Sequence, residues 1–240
     1  MKNSQHLEKQ EERSIFTAPL QRRSFLQFAG AGMAGAALLA AGCTKDDGIV
    51  APPSTGVTLD FKDDFGVLNY AYALEQLEAA FYTQVASNIP STFSQAERTY
   101  FQDIQFHEIA HREFFKKALG SNAIGSLEVN FGMINFSDRT SILGAAKTFE
   151  DLGVAAYNGA GKRIKTLAYL ELAGKIVSVE ARHAAYIREL VTPGTSFADL
   201  GSLSGFGSNA AGGLDASLTP DKVLPLAAPY IKTKINVINL

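Results

Sequence analysis

The sequence predicts an all-α fold: a four-helix bundle of two helical hairpins joined by a long crossover, with a C-terminal extension. Three observations predict it. Apolar residues recur at three- and four-residue steps in four segments bounded by capping and stop signals. The connections between those segments run short, long, short, which suits two antiparallel pairs and one crossover. One polar pattern is also written twice. Glu75 is followed 33 positions later by Glu108-Ile109-Ala110-His111, and Glu150 is followed 30 positions later by Glu180-Ala181-Arg182-His183. Each lone Glu has a Tyr seven residues on, Tyr82 and Tyr157.

The first 43 residues are set apart from the fold. Residues 1–20 are polar and mixed in charge. Arg22-Arg23-Ser24-Phe25-Leu26 follows, then a Gly/Ala-rich apolar run over 28–42. That run is shorter than the ~20 residues a membrane-spanning helix needs. A basic pair, a mildly apolar core and small residues at the end describe an export signal, and the paired arginines resemble a twin-arginine signal. Leu39-Ala40-Ala41-Gly42-Cys43 resembles a bacterial lipoprotein box, which implies a lipid anchor on Cys43 and a periplasmic or membrane-anchored location. The box usually has Leu three residues before the Cys; here Ala40 stands there, so soluble export after cleavage among the alanines stays open. A twin-arginine route implies cargo folded before export. Residues 44–62, with Pro52-Pro53 and Ser54-Thr55-Gly56, read as a flexible tether.

The bundle is expected over 63–192. Asp63 or Asp64 caps a first helix to about Ser87, where Asn88-Ile89-Pro90 stops it. Ser94-Gln95-Ala96-Glu97 is a capping box that opens a second helix to about Leu119, with Gly120 just beyond. Residues 120–136 form the crossover. Ser137 is expected to cap a third helix to about Tyr157, ended or broken by Asn158-Gly159-Ala160-Gly161. A fourth runs from Arg163 or later to Leu190, closed by Pro193-Gly194. The tail, 193–240, is Gly/Ser-rich with one short helix starting at Thr219-Pro220-Asp221, and is expected to pack across the bundle.

Composition narrows the function. Of 240 residues 46% are hydrophobic and 19% charged, with a net charge of −2, which reads as globular rather than disordered. No basic stretch is interleaved with aromatics, so nucleic acid is not an expected partner. The single cysteine excludes an intrachain disulfide and any Cys-based zinc or iron–sulfur site.

The repeated motif carries the chemistry. Residues three apart on a helix share a face, so each Glu-x-x-His presents a carboxylate and an imidazole together. Four carboxylates and two imidazoles on four helices make a site for two metal ions: Glu75, Glu108, His111, Glu150, Glu180 and His183. This is the ligand set of carboxylate-bridged di-iron or di-manganese bundles. Without a cation, four acids facing one another in an apolar core would repel, and some would take up protons. Glu78 competes with Glu75 for the first-helix role. Glu75 is preferred because it shares the Tyr spacing with Glu150; Glu78 then either backs the ligands from behind or, the preferred reading, sits at the rim or exposed. Tyr82 and Tyr157 either hydrogen-bond the ligand carboxylates or simply pack. Glu171 reads as a surface residue. His107-Glu108-Ile109-Ala110-His111 also matches the zinc-protease pattern. That reading leaves Glu75, Glu150 and the duplication unexplained; in the bundle, His107 falls one position off the ligand face and is either a histidine behind the ligands or one at the surface.

On these residues the chain resembles the ferritin-like superfamily, in particular exported bacterial ferritin-like proteins related to desiccation-associated proteins. Leu74-Glu75-Gln76-Leu77-Glu78-Ala79-Ala80-Phe81-Tyr82 is similar to that group's first helix. The resemblance implies a ferritin-like four-helix bundle and the six ligands above, holding two iron ions or, alternatively, two manganese ions. It implies oxidation chemistry with dioxygen or peroxide, a manganese catalase-like peroxide dismutation, or a metal-binding envelope stress protein without turnover. With no cysteine relay in the fold, any reductant is external. A homodimer is left open.

Overall fold

The computed structural model describes residues 56–194 and 197–240. The export signal, Cys43 and the tether up to residue 55 lie outside the described residues. Within them the order is β1 (Val57–Asp60), α1 (Asp64–Ser87), α2 (Gln95–Leu119), α3 (Arg139–Gly161), α4 (Leu167–Val191), α5 (Pro220–Ala227) and β2 (Ile235–Ile238). The helices α1 and α2 pack as one hairpin, α3 and α4 as the other, and the hairpins meet along α1 and α3. No described helix is long and apolar enough to cross a membrane.

The helix ends follow side-chain capping. Asp63 accepts from the Phe65 amide at 3.0 Å to start α1. Ser94 and Glu97 form the expected capping box on α2, at 3.3 and 2.6 Å. Two boundaries differ from expectation. Asp138, not Ser137, caps α3, because its two carboxylate oxygens reach both the Thr140 and Ser141 amides. The third helix also continues through Asn158-Gly159-Ala160-Gly161. Gly159 serves close packing there: a Cβ would fall 1.7 Å from the Leu218 carbonyl oxygen. The fourth helix starts at Leu167, its first turn anchored by Asp64 of α1, which accepts from the Lys165 and Thr166 amides at 2.8 and 2.9 Å.

Polar residues of α1 order the crossover. Asn69 accepts from the Ile124 amide and donates to the Asn122 carbonyl, both at 2.8 Å. Gln76 accepts from the Leu127 amide at 2.9 Å. Pairing these backbone groups helps the connection lie on the bundle. Between the hairpins, Arg139 of α3 grips Glu97 of α2; within the second hairpin, Arg188 reaches the buried Asp151 at 2.6 Å to clamp α4 on α3.

The tail packs across α3. The Leu218 amide donates to the Ala155 carbonyl at 2.9 Å, and Asn158 donates to the Ala216 carbonyl at 2.8 Å. Val223 and Ala227 of α5 are fully buried. One expectation is corrected here. Residues 57–60, placed in the tether, form β1, which pairs in parallel with β2. The alternation in Val57-Thr58-Leu59-Asp60 points Leu59 into the core, where it is fully buried. The tether expected over 44–62 therefore does not include Val57–Asp60.

Candidate metal centre

The middle of each of the four long helices faces one point. Both α1 and α3 are apolar on nearly every side and buried along most of their length, as expected of central helices. Glu75 and Glu150 project from them. Glu108 and His111 come from α2, and Glu180 and His183 from α4. All four carboxylates are fully buried, and His183 is 6% exposed.

The structure brings all six together as two overlapping groups. Glu75, Glu108, His111 and Glu180 form one, and Glu108, Glu150, Glu180 and His183 the other; within each, one ligand atom per residue lies within 4.8 Å of the rest. Glu108 and Glu180 belong to both. His111 Nδ1 is 2.9 Å from Glu180, 3.5 Å from Glu75 and 3.6 Å from Glu108. His183 Nδ1 is 3.0 Å from Glu108 and 3.4 Å from Glu150.

The donor atoms fit cations. Both oxygens of Glu108 and of Glu180, one oxygen each of Glu75 and Glu150, and Nδ1 of both histidines are buried with no hydrogen-bond partner. Buried polar atoms are normally paired, so a convergent set of orphaned oxygens and imidazole nitrogens is one that metal ions would complete. Two divalent ions would balance four carboxylates in charge. Hard oxygens with imidazole suit iron, manganese and zinc.

Electrostatics show what the protein alone must tolerate. Burial raises Glu75 to about 7 against the opposing pull of His111. Burial, aided by the neighbouring carboxylates, lifts Glu180 well above its usual range. It also raises Glu150, opposed by His183. Burial would raise Glu108 too, but His111 and His183 together outweigh it and hold that carboxyl at about 2. Burial disfavours a charged imidazole, yet the surrounding carboxylates raise His183 to about 11 and push His111 up as well. The metal-free cluster thus retains protons that cations would displace.

The tyrosines take the hydrogen-bonding role, and they do so crosswise. Tyr82 of α1 donates to Glu150 of α3, while Tyr157 of α3 donates to Glu75 of α1. Burial first, then the adjacent carboxylates, lift both phenols well above their ordinary value, so they stay donors. Each Tyr therefore ties one hairpin's carboxylate to the other hairpin. His107 is exposed and lies outside both groups. The zinc-protease reading, which needs it beside His111 as a ligand, finds no support in this arrangement.

Glu78 departs from expectation. It is not at the rim but 3% exposed. Burial and then Glu180, Glu108, Glu75 and Glu150 raise its carboxyl far above the usual range. One of its oxygens has no partner. It occupies room left by Gly153 of α3, whose Cβ would fall 3.0 Å from Glu78 Oε1 and 3.6 Å from Glu180 Oε2. The signal was available: α1 offers no solvent face for a charge, because Val67–Phe81 is apolar almost all round. Glu171 is the surface residue expected, exposed and paired with Lys175 at 2.6 Å.

A helical bundle that turns four carboxylates and two imidazoles onto two adjoining points is of the carboxylate–histidine metal-binding class. The ferritin-like domain family matches residues 63–193, more than half of the chain. The chain belongs to that family. No curated protein matches it.

Proposed function

We propose that this chain is an exported protein holding two iron ions, and that the pair is oxidised by dioxygen or peroxide with electrons later restored by an external reductant. The observation that carries the reading is the sharing of Glu108 and Glu180 by two four-residue groups, which is what bridging carboxylates in a dinuclear centre require. One group would use Glu75 and His111 as its own ligands, the other Glu150 and His183. Bound iron would supply the electrons that reduce the oxidant.

The chain's own residues do the rest. Tyr82 and Tyr157 fix the orientation of Glu150 and Glu75, so the carboxylates need little rearrangement to take up ions. The apolar faces of α1 and α3 keep bulk water away, which strengthens the attraction between carboxylates and cations. Of the six side chains, His111 is the most exposed, at 13% against 6% for His183. Export by the paired-arginine signal and lipid attachment at Cys43 complete the proposal, placing the folded, loaded bundle on a tether at the membrane surface.

The test is metal content joined to turnover. The chain should bind about two iron per molecule and consume peroxide or dioxygen repeatedly when a reductant is present. Two manganese with reductant-free peroxide dismutation would replace iron by manganese in this account. Binding with a single stoichiometric oxidation would make the protein a metal sequestrant.

A further inference from the structure

His107 is left unused by the six-ligand centre, yet it touches one of the six, His183. Its Nδ1 lies 2.9 Å from Nε2 of His183. The two rings are within 10° of parallel, with centroids 5.1 Å apart. That separation, with so short a nitrogen–nitrogen distance, describes two imidazoles meeting edge to edge. His183 turns its other nitrogen, Nδ1, toward Glu108 and Glu150. If Nδ1 holds a metal, the ring proton sits on Nε2 and is donated to His107.

The duplicated sequence shows that this contact is one-sided. His107 stands one residue before Glu108, and Val179 stands one residue before Glu180. Valine offers no acceptor. Among the described residues no side chain is hydrogen-bonded to the outer nitrogen of His111, whereas His183 has His107. Outer partners of this kind fix the tautomer and ring orientation of a ligand histidine, and losing one typically lowers metal affinity about 10–100-fold.

We infer that His107 is a positioning residue that pre-orients His183 and makes the two metal positions unequal, so that the Glu150–His183 position fills before the Glu75–His111 position. This rests on the dinuclear reading above and adds to it an order of loading and the residue that sets it.

The test is titration of the metal-stripped, full-length chain with Mn(II), followed by electron paramagnetic resonance, which separates isolated from spin-coupled ions. The wild type should bind in two steps, an isolated ion first and a coupled pair second. His183→Ala should remove the tighter step and His111→Ala the weaker. His107→Ala should weaken the first step about 10–100-fold, bringing the two steps together and producing coupled pairs from the first additions. His107→Asn, whose amide oxygen can accept the same proton, should restore the separation. An Ala variant that titrates like the wild type, or that weakens both steps equally, would overturn the role of His107 while leaving the dinuclear centre standing. A wild type that binds no Mn(II) and no Fe(II) would overturn both.

Discussion

The two hairpins state one pattern, and their differences are more instructive than their likeness. Both supply a lone Glu, a Glu-x-x-His and a Tyr that reaches across to the other hairpin's carboxylate. Two of their differences touch the cluster. Three residues after the lone Glu, the first hairpin has Glu78 and the second Gly153. One residue before the Glu-x-x-His, the first has His107 and the second Val179. The glycine makes room for the glutamate, and the histidine braces the other hairpin's ligand. Two halves that share one motif thus enclose a cluster with unequal sides.

The largest effect should separate shared from private ligands. Glu108→Ala or Glu180→Ala should strip the chain of both ions, and His111→Ala or His183→Ala of one, measured as metal per chain. Equal losses from shared and private positions would break the symmetry argument.

The next effect is on pH. Groups whose folded pKa is raised stabilise the metal-free chain fully below their ordinary value and lose that contribution as pH rises through the folded value. Glu75, raised from 4.5 to about 7, makes the metal-free chain less stable from about pH 4.5 to about 7. His183, raised from 6.5 to about 11, extends the loss to higher pH. Glu108, held at about 2, acts oppositely and only as pH falls below 4.5. Thermal melts of metal-free protein should therefore decline from pH 5 to pH 8. The loaded chain should gain over the same span, because ligation releases those protons. Parallel profiles with and without metal would contradict the assignment.

Glu78→Gln sharpens the comparison at the first point of divergence. Its carboxyl, raised well above the usual range by burial and the neighbouring carboxylates, favours the protonated form in the metal-free fold, and holding that proton costs more as pH rises. Replacement by Gln should leave stability at about pH 4.5 nearly unchanged and raise it at about pH 8, read as a higher melting temperature than the wild type only at the higher pH. Tyr82→Phe and Tyr157→Phe should each cost about 1.5–3 kcal/mol in the loaded chain, the range for hydrogen bonds to charged groups. Each should weaken the ion held by the partner carboxylate more than the other ion. Glu171→Ala, on the exposed face of α4, should change neither melting nor metal content.

The elements that share a periodic face and a cap were legible in the sequence. The Ser94–Glu97 box, the Gly120 stop and the Thr219-Pro220 start each act within a turn of chain, so local rules find them. The six-residue cluster was legible because helical spacing and duplication place it without any knowledge of loops. What the sequence hid depends on partners far along the chain. Gly159 reads as a helix breaker until the Leu218 backbone is seen to need its bare face. Val57–Asp60 reads as tether until β2, from the far end of the chain, pairs with it. The burial of Glu78 depends on Gly153 across the hairpin interface, although the apolar character of α1 already argued against a solvent-facing charge.

Elemental analysis of the full chain, folded in its own cytoplasm with the signal intact, tests the central claim most directly. The account predicts about two iron per chain, falling to none in Glu108→Ala. One zinc per chain, or no metal in the wild type, would contradict it.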